Sequence, residues 1–487
     1  MTTAAQSTRT IPMLIGGQRT LGSGSETIPV TNPATGELIG RIPDATTADV
    51  DAAVQAAADA FPAWARLDPL ERARHVTALA DLIERNAEEL ARLDVQDNGS
   101  PIREMRGDSG VAAAQLRYFA GLVLQLRGHT IPTQFERLNY TLRQPFGVVG
   151  RIVPFNHPFM FAAAKLAAPL VAGNTVVLKP SEHTSLSALR LADLLQEALP
   201  AGVVNIVTGY GQTAGDALVR HPEVRRLAFI GAAATGRRII ARANESVVKT
   251  VTLELGGKNP LVVFPDADLD KAVDGAVRGM NFTWQGQSCG STSRAIVHHD
   301  VYAEFTSRLA ERVAALRPGP PGDEATDTGA IVNKSQFEKV QRYVQIGREE
   351  GARLLTGGDV VDSGDLARGM FIRPAVFADV APGSRLAQEE IFGPVLATMP
   401  FTGYDEALRI ANGIPYGLTG AVFTRDLRLA HTVARDLEAG YVWVNDVARH
   451  WPGTGFGGVK DSGLGREEDL DELESYTQAK NVHVNLG

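Results

Sequence analysis

The chain of 487 residues contains one cysteine, Cys289, and its thiol is the first candidate for covalent chemistry. Cys289 closes the stretch Gly286-Gln287-Ser288-Cys289, which follows a helix predicted over residues 269–282. An unperturbed cysteine has a pKa of about 8.5, so attack at neutral pH needs surroundings that favour the thiolate. A solitary cysteine is more often a small buried side chain. Polar groups elsewhere in the chain must therefore decide its role.

Two stretches upstream of the cysteine carry polar groups suited to acyl chemistry. They are Pro154-Phe155-Asn156-His157-Pro158 and Glu254-Leu255-Gly256-Gly257-Lys258. Together with the cysteine, in this order and at this spacing, they resemble the aldehyde dehydrogenase superfamily. The match extends to Lys179-Pro180-Ser181-Glu182 and Glu389-Glu390-Ile391-Phe392-Gly393-Pro394, so it covers nearly the whole chain.

Composition agrees with an ordinary enzyme. With a formal net charge of -8 and scattered Lys and Arg residues, the chain has no basic patch, and we expect no nucleic-acid partner. One cysteine cannot form an intrachain disulfide, which is compatible with a reducing compartment. Residues 1–10 are polar, and the most apolar stretch, 159–173, is interrupted by Lys165 and Pro169. We therefore predict no targeting or membrane segment and a cytoplasmic location.

Short apolar runs alternate with helical patterns along most of the chain. Helices are predicted over residues 49–60, 70–93 and 111–126. A β-prone segment covers 137–143, and apolar runs then recur at 147–154, 175–179, 203–207, 227–230 and 251–255. A second series occupies 261–264, 294–297 and 441–444. Strands alternating with helices predict an α/β fold with two parallel-sheet domains.

The resemblance adds domain boundaries that patterning does not provide. It implies a Rossmann-like NAD-binding domain from residues 1–122 and 146–257 and a catalytic domain over 258–459. It assigns residues 123–145 and 460–487 to a small β arm used for oligomerisation. On this basis we expect a homodimer or a homotetramer.

The resemblance also implies a covalent mechanism at Cys289. The thiolate attacks the aldehyde carbon, the resulting thiohemiacetal gives up hydride to a nicotinamide, and a thioester remains. Neutral donors for the oxyanion are assigned to the Asn156 amide and the Cys289 backbone N–H, and the general base for hydrolysis to Glu254. Lys165 and Glu467 match a proton relay from that base. Local patterns alone favour a turn residue at Asn156, a solvated strand end at Glu254 and a structural Lys165–Glu467 pair.

Two glycine-containing stretches compete as phosphate sites. Residues 209–215 have the spacing Gly-x-Gly-x-x-x-Gly, which departs from the dinucleotide fingerprint. The resemblance points instead to Gly231 and residues 232–236, at a helix start suited to a pyrophosphate. Alanines at 232–234 occupy positions where the family usually has hydroxyl side chains.

Further cofactor residues follow from the resemblance. Lys179 and Glu182 match the positions that hold the adenosine ribose, and Glu390 and Phe392 match those beside the nicotinamide riboside. Pro154 and Phe155 are assigned to the same site, where the family usually has tryptophan in place of Phe155. A carboxylate at Glu182 would repel a 2′-phosphate, so NAD is favoured over NADP.

Substrate preference is open at this stage. The segments that line the substrate tunnel in relatives contain Phe155, Phe159, Met160, Trp284, Trp451 and Phe456, which favours an apolar or aromatic aldehyde. Plain core packing is the alternative for each of these side chains. Arg449, in the variable loop before Gly455, could instead hold the carboxylate of a semialdehyde. The histidines His157, His298 and His299 lack metal-ligand spacing, so no metal site is predicted.

Two rival functions remain. One is a binding or structural protein of the same fold without turnover, which the presence of Cys289, Glu254 and Asn156 together disfavours. The other is a reductase that produces aldehyde with NADPH, which Glu182 and Glu254 disfavour. The sequence therefore predicts an NAD-dependent, non-acylating aldehyde dehydrogenase acting on a small-molecule aldehyde.

Overall fold

The structure is a computed structural model that describes residues 9–487. The polar start of the chain, for which no targeting segment is predicted, lies outside these residues apart from Arg9 and Thr10. Within residues 9–487, none of the helices combines the length and apolar character needed to span a bilayer.

Short strands recur throughout the chain. In chain order they are β1 (Met13–Ile15), β2 (Gln18–Thr20), β3 (Thr27–Thr31), β4 (Leu38–Pro43), β5 (Thr130–Ile131), β6 (Arg137–Pro145), β7 (Val148–Ile152), β8 (Thr175–Lys179), β9 (Val204–Ile206), β10 (Val224–Ile230), β11 (Thr250–Glu254), β12 (Pro260–Val263), β13 (Arg294–His298), β14 (Arg353–Thr356), β15 (Ala375–Ala378), β16 (Val395–Phe401), β17 (Tyr416–Gly417), β18 (Thr419–Phe423), β19 (Tyr441–Val444), β20 (Val459–Lys460), β21 (Gly463–Leu464) and β22 (Thr477–Asn485).

Helices separate most of these strands. In chain order they are α1 (Thr47–Arg66), α2 (Pro69–Arg85), α3 (Ala87–Asn98), α4 (Ile102–Gly121), α5 (Pro158–Ala164), α6 (Ala167–Val171), α7 (Leu186–Ala198), α8 (Asp216–Arg220), α9 (Ala233–Ala243), α10 (Leu269–Gly279), α11 (His299–Ala314), α12 (Lys334–Glu349), α13 (Arg385–Gln388), α14 (Tyr404–Asn412), α15 (Leu427–Asp436) and α16 (Leu470–Ser475).

The first sheet has the strand order β2-β1-β9-β8-β7-β10-β11-β21. Its centre, from β9 to β11, is parallel. Ile152 pairs with Lys179 on one side, and Ile230 pairs with Glu254 further along the sheet. The carboxyl ends of these strands therefore meet at one edge, where open parallel sheets bind their ligands.

The second sheet has the order β14-β15-β16-β13-β12-β18-β19, parallel except for the edge strand β14. Only residues 255–259 separate the end of β11 from the start of β12. Because so short a link spans at most about 20 Å, the carboxyl edge of the first sheet adjoins the amino edge of the second. The predicted pair of parallel-sheet α/β domains is confirmed.

A third, three-stranded sheet has the order β22-β6-β5. The pairing of β22 with β6 is antiparallel and runs from Thr477 opposite Pro145 to Asn485 opposite Arg137. The predicted arm began at residue 460, but β21 pairs with β11 and so belongs to the first sheet. The segment that leads into the arm therefore also provides β21, an edge strand of the first sheet.

Two helix predictions need correction. The helix predicted over 70–93 is two helices, because Asn86 leaves helical geometry and its side chain donates to the Leu82 carbonyl at 2.8 Å. The helix predicted over 111–126 begins earlier, after Pro101, and ends at Gly121. Proline at 101 is a strong start signal that the apolar period did not reveal.

Apolar layers flank both sheets and form separate cores. Leu309 on α11 has no exposed surface and packs with Val297 of β13 and Phe305 in the core of the second domain. Leu427, at the start of α15, is 71% exposed. These two leucines provide a matched pair for measuring how much core packing stabilises the domain.

We expect Leu309→Ala to lower the free energy of unfolding by about 2–5 kcal/mol, because it removes apolar contacts and leaves a cavity. Leu427→Ala should change it by less than about 0.5 kcal/mol. Calorimetric thermal midpoints of the two variants and the parent check this expectation. Equal midpoints for both variants would contradict the assigned core.

Candidate active site

The adjoining edges of the two sheets bring the predicted site residues together. Loops or ends of β7, β8, β10 and β11 carry Asn156, Lys179, Gly231 and Glu254. Cys289 lies in the loop before β13, and Glu390 lies in the loop before β16. Strand polarity thus places side chains that are distant in sequence around one cleft between the domains.

The Asn259 side chain holds the loop that carries Cys289 through hydrogen bonds to its backbone. The Asn259 Nδ2 donates to the carbonyls of Cys289 at 2.8 Å and Ser291 at 2.9 Å. Its Oδ1 accepts from the Thr419 N–H at 3.0 Å. Sequence reasoning missed Asn259, and the available signal was an amide between Gly257-Lys258 and the apolar run that begins at residue 261. The structure shows that Asn259 is buried.

Gly286 lets this loop approach the Glu390 loop closely. Its φ is +65°, and a Cβ there would clash with the Gly393 carbonyl. A residue other than glycine would therefore be strained twice, by backbone conformation and by contact. This contact fixes Cys289 relative to Glu390 and Phe392.

The electrostatic surroundings of Cys289 favour the neutral thiol in this structure. Burial raises its pKa to about 12, and the carboxylates of Glu390 and Glu254 act in the same direction. The residue as a whole is nevertheless partly exposed. The thiol therefore stays neutral until a nearby positive charge stabilises the thiolate or another group takes its proton.

Glu254 is a buried carboxylate at the end of β11. It is 6% exposed, and neither of its oxygens has a hydrogen-bond partner among residues 9–487. Burial raises its pKa well above the usual value, and the nearby Glu467 adds to the effect, while Lys165 opposes it. A Cβ at Gly457 would lie 2.7 Å from Glu254 Oε1, so glycine there leaves room for the carboxylate. Such a raised pKa suits a general base.

Lys165 and Glu467 form an ion pair beside Glu254, and the proton relay that the resemblance implies for them stays a prediction. Lys165 Nζ lies 3.0 Å from Glu467 Oε2, and Arg151 lies 2.6 Å from the other oxygen. Burial would raise the pKa of Glu467, but the two cations lower it to about 2. Sequence reasoning missed Arg151, although an arginine inside the apolar run 147–154 was a signal for a buried partner.

Asn156 is 3% exposed and lies in the turn between β7 and α5. Asn98 Nδ2 donates to the Phe155 carbonyl at 2.6 Å and holds this turn against α3. His157 Nδ1 lies 2.8 Å from Asp108 Oδ2. Burial disfavours its charged form, but Asp108 more than offsets this and raises the pKa of His157. The turn is therefore fixed by an amide and an ion pair that the sequence did not reveal.

The predicted adenosine and pyrophosphate residues surround the carboxyl ends of β8 and β10. Lys179 Nζ lies 3.8 Å from Glu182 Oε2, and Glu182 keeps a quarter of its side chain exposed. Gly231 leads into α9, whose first turn receives no side-chain cap from Ala232. The N–H groups of an uncapped helix start favour an anion, so these residues fit the diphosphate and ribose of a dinucleotide.

Groups from both domains flank the predicted nicotinamide position. Glu390 accepts from the Gly257 N–H at 3.1 Å and fills the space that a Cβ at Gly256 would occupy. The rings of Phe155 and Phe392 lie 5.6 Å apart at 85°. Pro154, just before Phe155, is half-buried.

The predicted substrate residues differ in how far they are buried. Phe456 is 8% exposed, and Met160 packs at the margin of the first core. Trp284 packs against Met105 and the His157 ring. The prediction for Phe159 is corrected, because this side chain has no accessible surface and belongs to the core rather than to a tunnel wall.

Arg449 and Trp451 lie on an exposed loop. Arg449 has 58% of its side chain exposed and lies 3.6 Å from Asp446. Trp451 is 60% exposed. Neither residue therefore points to an enclosed subsite in this structure.

Three possible metal ligands cluster outside the cleft. His298, His299 and Asp300 bring ligand atoms within 4.8 Å of one another at the exposed start of α11. The Asp300 N–H donates to His298 Nδ1 at 3.3 Å, so this nitrogen already caps the helix.

Comparison with known proteins gives the same family across the chain. Residues 21–482 match the profile of the aldehyde dehydrogenase family. Aldehyde dehydrogenase tropH of Talaromyces stipitatus is 47% identical, and the match covers 94% of this chain and 90% of that protein. PnpE from Pseudomonas sp. WBC-3, solved with nicotinamide adenine dinucleotide, is 43% identical with a TM-score of 0.95, covering 98% of this chain and 97% of that chain.

The indole-3-acetaldehyde dehydrogenase AldA of P. syringae, solved as a mutant with NAD+ and IAA, is 39% identical. Its TM-score is 0.95, and the match covers 98% of this chain and 97% of that chain. The sequence match extends over nearly the full length of all three proteins, and the fold agrees in the two solved structures. The predicted resemblance is confirmed, and the chain belongs to the aldehyde dehydrogenase family.

Proposed function

We propose that this aldehyde dehydrogenase converts an apolar or aromatic aldehyde and water to a carboxylic acid through a thioester on Cys289. The observation that carries the proposal is the convergence of Cys289, Asn156 and Glu254 at the adjoining edges of the two sheets. Cys289 is partly exposed, Asn156 is buried, and the Glu254 carboxyl has a raised pKa. This combination provides a nucleophile, an oxyanion donor and a base.

The cofactor is NAD, as in the complexes of PnpE and AldA. When bound, NAD supplies the hydride acceptor and a positively charged ring. Lys179 and Glu182 would hold the adenosine ribose, and the N–H groups after Gly231 would face the diphosphate. Glu390 and Phe392 would hold the nicotinamide riboside. The carboxylate of Glu182 disfavours a 2′-phosphate, which supports NAD over NADP.

The chain's own residues divide the reaction into two parts. The Cys289 thiolate attacks the carbonyl carbon, and the Asn156 amide with the Cys289 N–H stabilises the oxyanion. Loss of hydride from this adduct leaves the thioester. Glu254 then takes a proton from water as its oxygen attacks the thioester carbon, and the C–S bond breaks to restore the thiolate. Lys165, which Glu467 holds by an ion pair, begins the relay by which Glu254 loses that proton.

Two observations support an apolar or aromatic substrate. Phe155, Met160 and Phe456 are apolar and lie on segments around the cleft, and AldA is named for an aromatic aldehyde. A semialdehyde would need a cation near the cleft, but Arg449 is exposed and already adjoins Asp446. The apolar assignment therefore has the stronger support.

The three-stranded sheet supports a homodimer or homotetramer. β5, β6 and the C-terminal end expose Ile131, Leu138, Leu142 and Leu486. Exposed apolar side chains on an extended sheet are typical of an association surface. We propose that copies of this chain associate through it in the cytoplasm, and the particle mass in solution tests this association.

Alkylation of Cys289 should report its raised pKa. In the cofactor-free protein, the rate with iodoacetamide should keep rising from pH 7 to about pH 10, because the fraction of thiolate increases throughout this range. Mass spectrometry gives the rate, and the chain has no other cysteine to react. Cys289→Ser should remain unmodified. A plateau near pH 7 would contradict the assigned environment.

Glu254→Gln should separate the two halves of the reaction. Thioester formation needs no hydrolytic base, so we expect a burst of about one NADH per site. Steady-state turnover should then fall by about 10²–10⁴-fold, because deacylation lacks general-base catalysis. Rapid-mixing absorbance measures both phases. Cys289→Ala should give neither a burst nor turnover, and a full burst from this variant would overturn the thioester mechanism.

Substrate preference can be tested with aldehydes of matched length. We expect higher kcat/KM for phenyl- and alkyl-substituted aldehydes than for carboxylate-bearing ones. Arg449→Leu should change kcat/KM for either class of aldehyde by no more than about twofold. NADH formation with NAD and NADP in parallel provides the measurement. A selective loss on carboxylate-bearing aldehydes in Arg449→Leu would instead establish the semialdehyde alternative.

A further inference from the structure

The ion pair beside Glu254 has a second branch that leads outward. Lys165 Nζ lies 3.6 Å from Glu468 Oε1, in addition to its contact with Glu467. Glu468 has a left-handed backbone, with φ +76°, and its N–H donates to Glu472 Oε2 at 2.7 Å. A non-glycine residue in this conformation is held there by its surroundings. The hydrogen bond to Glu472 holds this backbone conformation, in which the Glu468 carboxylate lies next to Lys165.

His450 continues this branch to the surface. Its Nδ1 lies 3.4 Å from Glu468 Oε2. The ring stacks on Tyr441 at 22° and packs against Phe456, with centroids 4.7 Å apart. Side-chain exposure rises from 3% at Lys165 to 13% at Glu468 and 37% at His450. The three groups therefore form a graded path from the interior to solvent.

Glu467 is less suited to carry a proton outward. Its two oxygens contact two buried cations, Arg151 and Lys165, and it is 5% exposed. Neither cation reaches solvent, because the side chain of Arg151 is 0% exposed and that of Lys165 is 3% exposed. Glu468 contacts Lys165 and a histidine that reaches solvent. Histidine is the side chain best suited to exchange protons with solvent near neutral pH.

We propose that Glu468 and His450 carry to solvent the proton that Glu254 removes from the attacking water. This inference rests on the proposed function. Neither Glu254 oxygen has a hydrogen-bond partner among residues 9–487, so its proton would reach Lys165 through a water molecule in the cleft. The Lys165 ammonium receives this proton as it gives one to the Glu468 carboxylate. Glu468 passes its proton to the His450 ring, which releases one to solvent. One proton moves per thioester hydrolysed, no electrons are transferred, and each group returns to its starting state.

His450→Phe tests the path, because it keeps an aromatic ring against Tyr441 and Phe456 but removes the nitrogen. At low buffer concentration we expect steady-state NADH formation to fall about tenfold while the initial burst keeps its parental rate. Added imidazole should restore turnover in this variant only. His299→Phe is the control, since His299 is exposed at the start of α11, outside the path.

Glu468→Gln should show the same loss without rescue by imidazole, because the path is then broken inside the protein. Parental turnover of His450→Phe at the lowest buffer concentration, or failure of imidazole to restore it, would overturn the path. A parent enzyme that shows no cysteine-dependent NADH formation with any aldehyde would overturn the proposed function itself. The two failures are thus distinguished by the behaviour of the parent.

Discussion

The buried ion cluster of Arg151, Lys165 and Glu467 is the interaction on which the site most depends. It joins a strand of the first sheet, the turn after α5 and the segment that follows the second domain. Removing one member would leave an uncompensated buried charge, which costs several kcal/mol. The same cluster sets the electrostatic surroundings of Glu254, because Glu467 raises its pKa and Lys165 lowers it. Stability of the fold and readiness of the base are therefore coupled.

The short link between the sheets imposes a second constraint. With only residues 255–259 between β11 and β12, the second sheet must start where the first one ends. Asn259, at the end of this link, holds the Cys289 loop, and Gly256 and Gly257 accommodate Glu390. A motif that is contiguous in sequence thus positions the base, the nucleophile and a cofactor residue together.

Buried charges in the cleft favour their uncharged forms. Cys289 and Glu254 both have raised pKa values, chiefly because of burial, and each carboxylate nearby strengthens the effect on the thiol. A neutral thiol is less easily oxidised or alkylated than a thiolate. The arrangement therefore protects the Cys289 thiol in the free protein. Formation of the thiolate then requires positive charge in the cleft that offsets the nearby carboxylates.

Local sequence determined the element types and the motifs. Apolar runs alternating with helical periods identified the five central strands of the first sheet but only β12, β13 and β19 of the second, and they missed β14, β15, β16 and β18. The stretches around Asn156, Glu254 and Cys289 indicated the family. Breaks that depend on a single side chain were missed, as at Asn86, where a side-chain hydrogen bond ends one helix before the next begins. Phe159 was misassigned because periodicity does not distinguish a core ring from a ring that faces a cavity.

Only the tertiary structure decided which polar groups meet. Arg151 and Glu467 are separated by more than three hundred residues in the chain, and Glu468 and His450 lie on different segments around the cleft. Such contacts are set by strand order and by the path of the chain between domains, neither of which is encoded in local spacing. The sequence by itself determined the chemistry available to this protein. The fold decided which carboxylates are buried, which cations balance them, and where a proton can reach solvent, because burial and charge pairing depend on long-range packing.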